Sequence, residues 1–239
     1  MHHVVLERWS RGDSFLHRRD ARVKILVLLF FLVVVATTNH VFELAAICYV
    51  AMLIAGVIAA RLPITGVLAR AAVALPFALT FAAISSISGD PRRAALLVEK
   101  CFLSAWGAVL LIATTPTPKL LRGLESLGVP GFLLLVAQFL YRYLFVIAEQ
   151  AHRMRLAGLC RGGMLRRSGG FRAAAGALGV LFVRSYERSE SIHRSMLARG
   201  FEGRFHLLST ERLTLADTAF ACVAFGPPLV VGLLVKAWA

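Results

Sequence analysis

Acidic side chains are scarce in this chain of 239 residues. Asp and Glu together number 13 against 27 Lys and Arg, which gives a formal net charge of +14 at pH 7 and a pI near 10.9. In a soluble protein this excess would suggest a nucleic-acid partner, but the sequence has no aromatic-studded basic strand and no recognition helix. We therefore expect no nucleic-acid partner.

Several chemical motifs are also missing. The sequence has no Gly-x-x-x-x-Gly-Lys-Ser/Thr loop, so ATP hydrolysis would have to come from another protein. The four cysteines show no Cys-x-x-Cys spacing, and no cluster of His or Asp suggests an enzyme. His2 and His3 are adjacent, but two imidazoles are weak evidence for a metal site. We expect no catalytic residue, no metal site and no cofactor in this chain.

Apolar residues, by contrast, make up 58% of the chain, and the mean hydropathy is +0.73. This exceeds what a soluble domain of this length needs to fill its core, so the composition indicates an integral membrane protein. A helix crosses the hydrocarbon core with roughly 20 apolar residues. We predict an all-α polytopic membrane protein with about five transmembrane helices, at residues 23–39, 41–60, 66–88, 94–115 and 214–236.

The basic residues predict the orientation of these spans. With the N-terminus in the cytoplasm, 23 of the 27 Lys and Arg fall on the inside and four on the outside, as the positive-inside rule requires. Residues 1–115 then comprise an N-terminal cytoplasmic segment and the first four spans. Residues 116–213 form a cytoplasmic region, and 214–239 form the last span.

One apolar segment, 132–148, would upset this topology if it crossed the membrane. It carries Arg142 in its middle, and crossing would move the Arg-rich stretch that follows to the outside. We interpret it as a helix along the cytoplasmic membrane boundary, with a sixth span as the alternative.

The cytoplasmic region contains the most informative pattern of the chain. Its breaks predict three helices, the second ending near Arg161-Gly162 and the third, from about 171, ending at Ala198-Arg199-Gly200. Glu190 and Arg194 are four residues apart in the favourable order for an ion pair. The two Arg-Gly ends are 38 residues apart, and each arginine could present its guanidinium fork to a partner's carboxylate.

Glu99 and Lys100 lie early in the fourth predicted span, and Asp217 lies early in the fifth. Intramembrane charges are costly, but each of these is within about two turns of a helix end. We expect snorkelling or contact with a partner subunit in preference to an ion pathway.

Several motifs together resemble a known family, the transmembrane T component of energy-coupling-factor (ECF) transporters, and most closely its cobalt-type CbiQ branch. They are Asp20-Ala-Arg22-Val-Lys24, Tyr141-Arg142-Tyr143, Met154-Arg155 and Arg184-Ser-Tyr-Glu-Arg188 leading to Met196-Leu-Ala-Arg-Gly200. Two positions depart from the pattern. Ala21 stands where family members have proline, and Cys160 stands where they have alanine before the first Arg-Gly.

The resemblance implies a non-catalytic transporter scaffold in a prokaryotic cell (inner) membrane. Two ABC-type ATPase subunits, which bind ATP and Mg, would each accept one coupling helix. Arg161 with Gly162 would dock one, and Ala198-Arg199-Gly200 the other. The remaining partners would be a substrate-binding membrane subunit of CbiM type, a small CbiN-type subunit and the lipid bilayer.

Cobalt is the cargo that the resemblance favours, with nickel or a vitamin as alternatives. A stand-alone secondary carrier is a different class of function, which would call for paired repeats and broken helices around polar midplane groups. Substrate uptake by the purified chain alone would favour the carrier.

Overall fold

A computed structural model describes residues 9–10, 12–38, 42–87, 90–162, 169–203 and 214–237. These residues form helices and turns with no strand among them, which confirms the predicted all-α class. Within them we number nine α-helices: α1 (Ala21–Thr37), α2 (Phe42–Ala59), α3 (Ile64–Ala71), α4 (Leu75–Ile87), α5 (Pro91–Thr114), α6 (Thr117–Ser126), α7 (Gly131–Cys160), α8 (Gly169–Leu197) and α9 (Leu215–Ala237). A 3-10 turn, Ala72–Ala74, joins α3 to α4.

Three helical stretches are long and apolar enough to cross a membrane: Ile64–Ile87, Pro91–Thr114 and Gly131–Cys160. The first two are predicted spans. The third contains segment 132–148, so its length and composition suit the sixth span as well as the boundary helix. Of the other predicted spans, α1 has 17 residues, α2 has 18 and α9 has 23.

Local sequence explains where the helices begin. The Asp20 carboxylate caps α1 by accepting a hydrogen bond from the Arg22 amide at 2.9 Å. Pro91 opens α5, where its missing amide hydrogen costs nothing. Pro116 precedes α6 and separates it from α5.

The chain divides into two compact units. Unit 1 comprises Met1–Leu127 and Thr210–Ala239, and unit 2 comprises Gly128–Ser209. Unit 2 lies inside the predicted region 116–213, whereas α6 belongs to unit 1. The predicted domain boundaries at 116 and 213 stay a prediction.

Unit 1 has a buried core built from α1, α2, α3 and α5. The Phe31 ring packs edge-on against Tyr49, with 5.7 Å between the ring centroids. Gly107 allows α5 to approach α1, because a Cβ there would lie 3.0 Å from Leu28 Cδ1. The fully enclosed members of this core are Phe31, Val35, Ala45, Tyr49, Leu53, Val57, Val67, Ala71, Leu103 and Trp106.

Polar contacts connect the helix ends of unit 1. The buried Lys24 ammonium donates to the Thr114 carbonyl at 3.1 Å and to Thr115 Oγ1 at 3.0 Å, which joins the start of α1 to the end of α5. A buried ammonium is tolerated because its hydrogen atoms have acceptors. Lys100 donates to the Ala36 carbonyl at 3.1 Å.

Asp217 makes the contact that closes unit 1. Its carboxylate accepts hydrogen bonds from the Asp20 amide at 3.3 Å and the Thr214 amide at 3.1 Å, and it lies 3.6 Å from Arg19 Nη1. Its side chain is buried, so the expectation of snorkelling or a partner contact is wrong for this residue. It connects the start of α9 to the start of α1.

Unit 2 consists mainly of α7 and α8, which pack against each other. Among its described residues, Leu134 is the one buried large hydrophobic side chain. Phe132, Phe171 and Phe182 are each more than 70% exposed. Unit 2 therefore displays its apolar side chains on its surface.

Candidate functional site

The first Arg-Gly helix end lies at the C-terminus of α7. Arg161 is the capping residue, and its amide donates to the Ala157 carbonyl at 3.2 Å. Gly162 follows with φ of +71° and donates to the Leu159 carbonyl at 3.0 Å. This left-handed glycine ends the helix, as its sequence predicts.

The second Arg-Gly end has the same construction at the C-terminus of α8. Arg199 precedes Gly200, whose φ is +77° and whose amide donates to the Leu197 carbonyl at 3.0 Å. The Phe201 amide donates to the Met196 carbonyl at 3.1 Å, which completes a Schellman motif. Ala198 occupies the last turn, with its amide bonded to the Arg194 carbonyl at 3.0 Å.

Both arginines therefore occupy equivalent positions, one residue before a left-handed glycine. Arg161 and Arg199 are exposed, and neither has an ion-pair partner in the part of the chain that the structure describes. The partial negative charge at a helix C-terminus favours a cation there. The geometry leaves two guanidinium groups available to another molecule.

A lack of space for a side chain does not explain why glycine stands at positions 162 and 200. A Cβ built on Gly162 or Gly200 would meet no atom within 4 Å. Glycine is favoured there because a left-handed backbone costs an L-amino acid about 1–2 kcal/mol. The two helix ends are thus fixed by backbone conformation alone.

A groove of about 980 Å³ lies between α7 and α8 inside unit 2. Its charged lining contains four arginines and one glutamate: Arg153, Arg161, Arg184, Arg188 and Glu149. Its remaining lining is mostly apolar: Phe145, Val146, Gln150, Met154, Ala157, Gly158, Gly176, Ala177 and Val180. Arg153 donates to Glu149 at 2.8 Å, so the single acid is already paired.

The surface of α8 agrees with the sequence in two respects. Arg194 donates to Glu190 at 2.9 Å, which confirms the predicted ion pair. Phe182 and Tyr186 lie one turn apart and are 73% and 59% exposed, so this apolar pair forms an uncovered face. Such a face suits contact with lipid or with another protein.

Sequence reasoning missed the joint role of Arg153, Arg184 and Arg188 as groove lining. A signal was present, because Arg184 and Arg188 are four residues apart and therefore share one face of a helix. The partner face on α7 could not be assigned without the packing of the two helices.

The other residues considered for a metal site are two histidines near the N-terminus. His2 and His3 lie outside the described residues. Over the described ranges, no group of three His, Cys, Asp or Glu side chains could hold a metal ion.

Comparison with known proteins identifies relatives along most of the chain. The sequence profile of CbiQ, described as cobalt transport protein, matches residues 12–207. A cobalt transport protein CbiQ from Rhodobacter capsulatus is 31% identical over 203 residues, which cover 81% of this chain and 83% of that protein. An energy-coupling factor transporter transmembrane protein EcfT from Acidaminococcus fermentans is 23% identical, with 84% of each chain covered.

A third relative is named as a fused protein. It is a fused cobalt transport protein CbiMQ from Methanocorpusculum labreanum, 28% identical over 141 residues, which cover 59% of this chain and 23% of that protein. The match to the family profile confirms the resemblance inferred from the motifs. This helical membrane protein belongs to the CbiQ family of cobalt transport proteins.

Proposed function

We propose that this chain is the transmembrane scaffold subunit of an ECF-type importer. It would carry no catalytic residue and would use ATP hydrolysis by two partner ATPase subunits. The names of its relatives support this role, since one is an ECF transmembrane protein and another is a fusion that includes a CbiM part. A substrate-binding membrane subunit of CbiM type is the third partner, and a small CbiN-type subunit is the fourth.

The observation that carries the proposal is the pair of matching Arg-Gly helix ends in unit 2. Arg161 and Arg199 have the same cap position, are both exposed, and precede glycines with φ of +71° and +77°. Two equivalent cationic ends suit two equivalent ATPase grooves. Arg161 with Gly162 would dock one ATPase, and Ala198-Arg199-Gly200 would dock the other.

The coupling mechanism follows from rigidity. Helix α7 has 30 residues and α8 has 29, so each transmits a displacement of its end along roughly 45 Å of continuous helix. ATP binding would draw the two ATPases together and change the distance between their grooves. The anchored helix ends would follow, and the exposed apolar faces of α7 and α8 would move the subunit that covers them.

Placement in a prokaryotic inner membrane with a cytoplasmic N-terminus completes the proposal. The excess of Lys and Arg in segments 1–24 and 116–213 supports this orientation. It leaves both arginine ends on the side where ATP is available.

The decisive experiment compares two double variants in the reconstituted complex. Arg161→Ala with Arg199→Ala removes both docking cations. Arg172→Ala with Arg194→Ala removes the same charge from exposed positions on α8 other than the two Arg-Gly ends. The readouts are ATPase co-purification and cobalt uptake driven by ATP.

We expect the docking variant to lose most of both signals, because truncating one partner of a desolvated charged contact costs about 2–5 kcal/mol. The control should keep both. Normal ATPase binding and uptake in the docking variant would contradict the assignment of the coupling ends. Uptake by the chain without any ATPase would instead support a secondary carrier.

Cobalt as cargo rests on the description of the family and is tested separately. Uptake of cobalt, nickel and biotin by the same reconstituted complex would be measured in competition. Stronger uptake of nickel or biotin than of cobalt would assign the cargo differently without affecting the scaffold role.

A further inference from the structure

The groove between α7 and α8 has an unbalanced charge. Four arginines line it against one glutamate, and Glu149 is bonded to Arg153 at 2.8 Å. Arg184 and Arg188 have no ion-pair partner among the residues described. They are one turn apart on the same helix face, so both guanidinium groups can reach one bound anion.

The same groove also has an apolar part of its lining. Phe145 and Val146 on α7 line it, and Val180 faces it from α8. All three are 38–46% exposed, so they are available to a ligand. The occupant should therefore combine a negative charge with a hydrocarbon part.

The position of the groove along α7 indicates which class of molecule supplies both a negative charge and a hydrocarbon part. Phe145 and Val146 belong to the last turn of the apolar segment 132–148, and Arg153 follows Val146 by seven residues, about 10 Å along a helix. We interpret this segment as a helix along the cytoplasmic membrane boundary, where each headgroup layer is roughly 5–8 Å thick. The groove would thus begin on a segment that lies at the level of the lipid headgroups.

We propose that this groove binds an anionic phospholipid. The phosphate lies against Arg184 and Arg188, whose planar forks match phosphate oxygens in a way that lysine does not. An acyl chain runs along Phe145, Val146 and Val180. Basic pockets between membrane helices are known to hold such headgroups, and the volume of about 980 Å³ lies at the upper end of the range for ligand sites.

This inference goes beyond the coupling role, because it depends on the membrane location of the chain and not on the ATPases. Arg161 lines the groove at the end of α7, and it is left for ATPase docking. The test therefore uses the full chain alone.

The first measurement titrates the detergent-solubilised chain with mixed micelles that contain phosphatidylglycerol or phosphatidylcholine. The groove variant is Arg184→Gln with Arg188→Gln. Its matched control, Arg172→Gln with Arg194→Gln, removes the same charge from the same helix outside the groove. Circular dichroism checks that all variants keep their helix content.

We expect the wild type to prefer phosphatidylglycerol and the groove variant to bind it roughly 30-fold more weakly, about fivefold for each arginine. The control should match the wild type. Equal binding by groove and control variants would overturn the proposal, because it would show a general attraction to positive charge. Equal binding of the two lipids by the wild type would overturn it as well.

Two further competition experiments distinguish the phospholipid from other anions that the groove could bind. Inorganic phosphate at the same concentration as the lipid should not displace it, and displacement would reduce the groove to a simple anion site. A Glu-rich peptide that binds in place of phosphatidylglycerol would assign the groove to a protein partner and refute the lipid.

A second variant tests the geometry of the phosphate contact. Arg184→Lys with Arg188→Lys keeps both charges but removes the planar forks, so we expect binding between those of the wild type and the Gln variant. Wild-type affinity in this variant would show that charge alone suffices and would contradict the forked contact.

Discussion

Units 1 and 2 differ most in what they do with large apolar side chains. Phe31 in unit 1 is 2% exposed and is enclosed by other core residues, whereas Phe171 in unit 2 is 83% exposed. Unit 1 contains the buried cluster, and unit 2 has Leu134 as its one buried large hydrophobic residue among those described. Unit 1 is held by its own packing, while the apolar side chains of unit 2 stay largely exposed.

Ion pairs within each long helix of unit 2 stabilise that helix without burying apolar side chains. Glu149 pairs with Arg153, and Glu190 pairs with Arg194, each at a spacing of four residues. Such pairs contribute about 0.2–0.5 kcal/mol each. They add helix stability without consuming the apolar faces, which stay available for binding.

The largest expected effect is on stability, and it is tested with one phenylalanine from each unit. Phe31→Ala should destabilise the protein by about 3 kcal/mol or more, because it leaves a cavity next to Tyr49 and Gly107. Phe171→Ala should change the stability of the isolated chain by less than about 0.5 kcal/mol. Thermal unfolding in detergent would measure both, and equal losses would contradict the difference between the units.

A smaller effect is expected where the contact that closes unit 1 is disturbed. Asp217→Asn replaces one acceptor oxygen with a donor that faces the amide of Asp20 or Thr214. We expect a loss of about 1–3 kcal/mol from this buried mismatch. Asp90→Asn is the control, because Asp90 has a side chain that is 56% exposed and pairs with Arg93 at the surface. A similar loss in both variants, measured by denaturant unfolding, would show that burial of Asp217 has no effect.

The smallest expected effect is on the stability of α8 in unit 2, at its C-terminal end. Gly200→Ala should cost about 1 kcal/mol, because alanine is strained at φ of +77°. Gly179→Ala lies in the middle of α8 with open space around it, and should stabilise the helix by roughly 0.5–1 kcal/mol. Hydrogen exchange of the α8 amides would show opposite signs for the two variants. The same sign for both would refute the backbone explanation.

Much of the fold could be predicted because hydropathy and helix breakers are local signals. The helix predicted at 132–161 is α7, Gly131–Cys160, and the one predicted at 171–199 is α8, Gly169–Leu197. The glycines at 162 and 200 stop these helices as expected. The third predicted span contains a 3-10 turn at Ala72–Ala74, and Pro76 explains it, because in a regular α-helix its ring would clash with the Ala72 carbonyl four residues earlier.

Contacts between residues far apart in sequence could not be predicted in this way. In the sequence, Asp217 is a charged residue near the start of a predicted span, where burial of a charge is unfavourable. Its hydrogen bond from the Asp20 amide depends on how α9 packs on α1. The groove arginines are similar, because Arg153 and Arg184 come from different helices. One sequence shows which face of a helix is basic but not which face of its neighbour it meets.

The hydrogen bond between Asp20 and Asp217 also sets an order of events during synthesis. The two residues are separated by 197 positions. At about 5–20 residues per second, a ribosome needs roughly 10–40 s to travel from one to the other. Helix α1 must therefore persist without α9 for that time, and α7 and α8 are complete before unit 1 can close. Helix α9 therefore completes unit 1 after unit 2 has been synthesised.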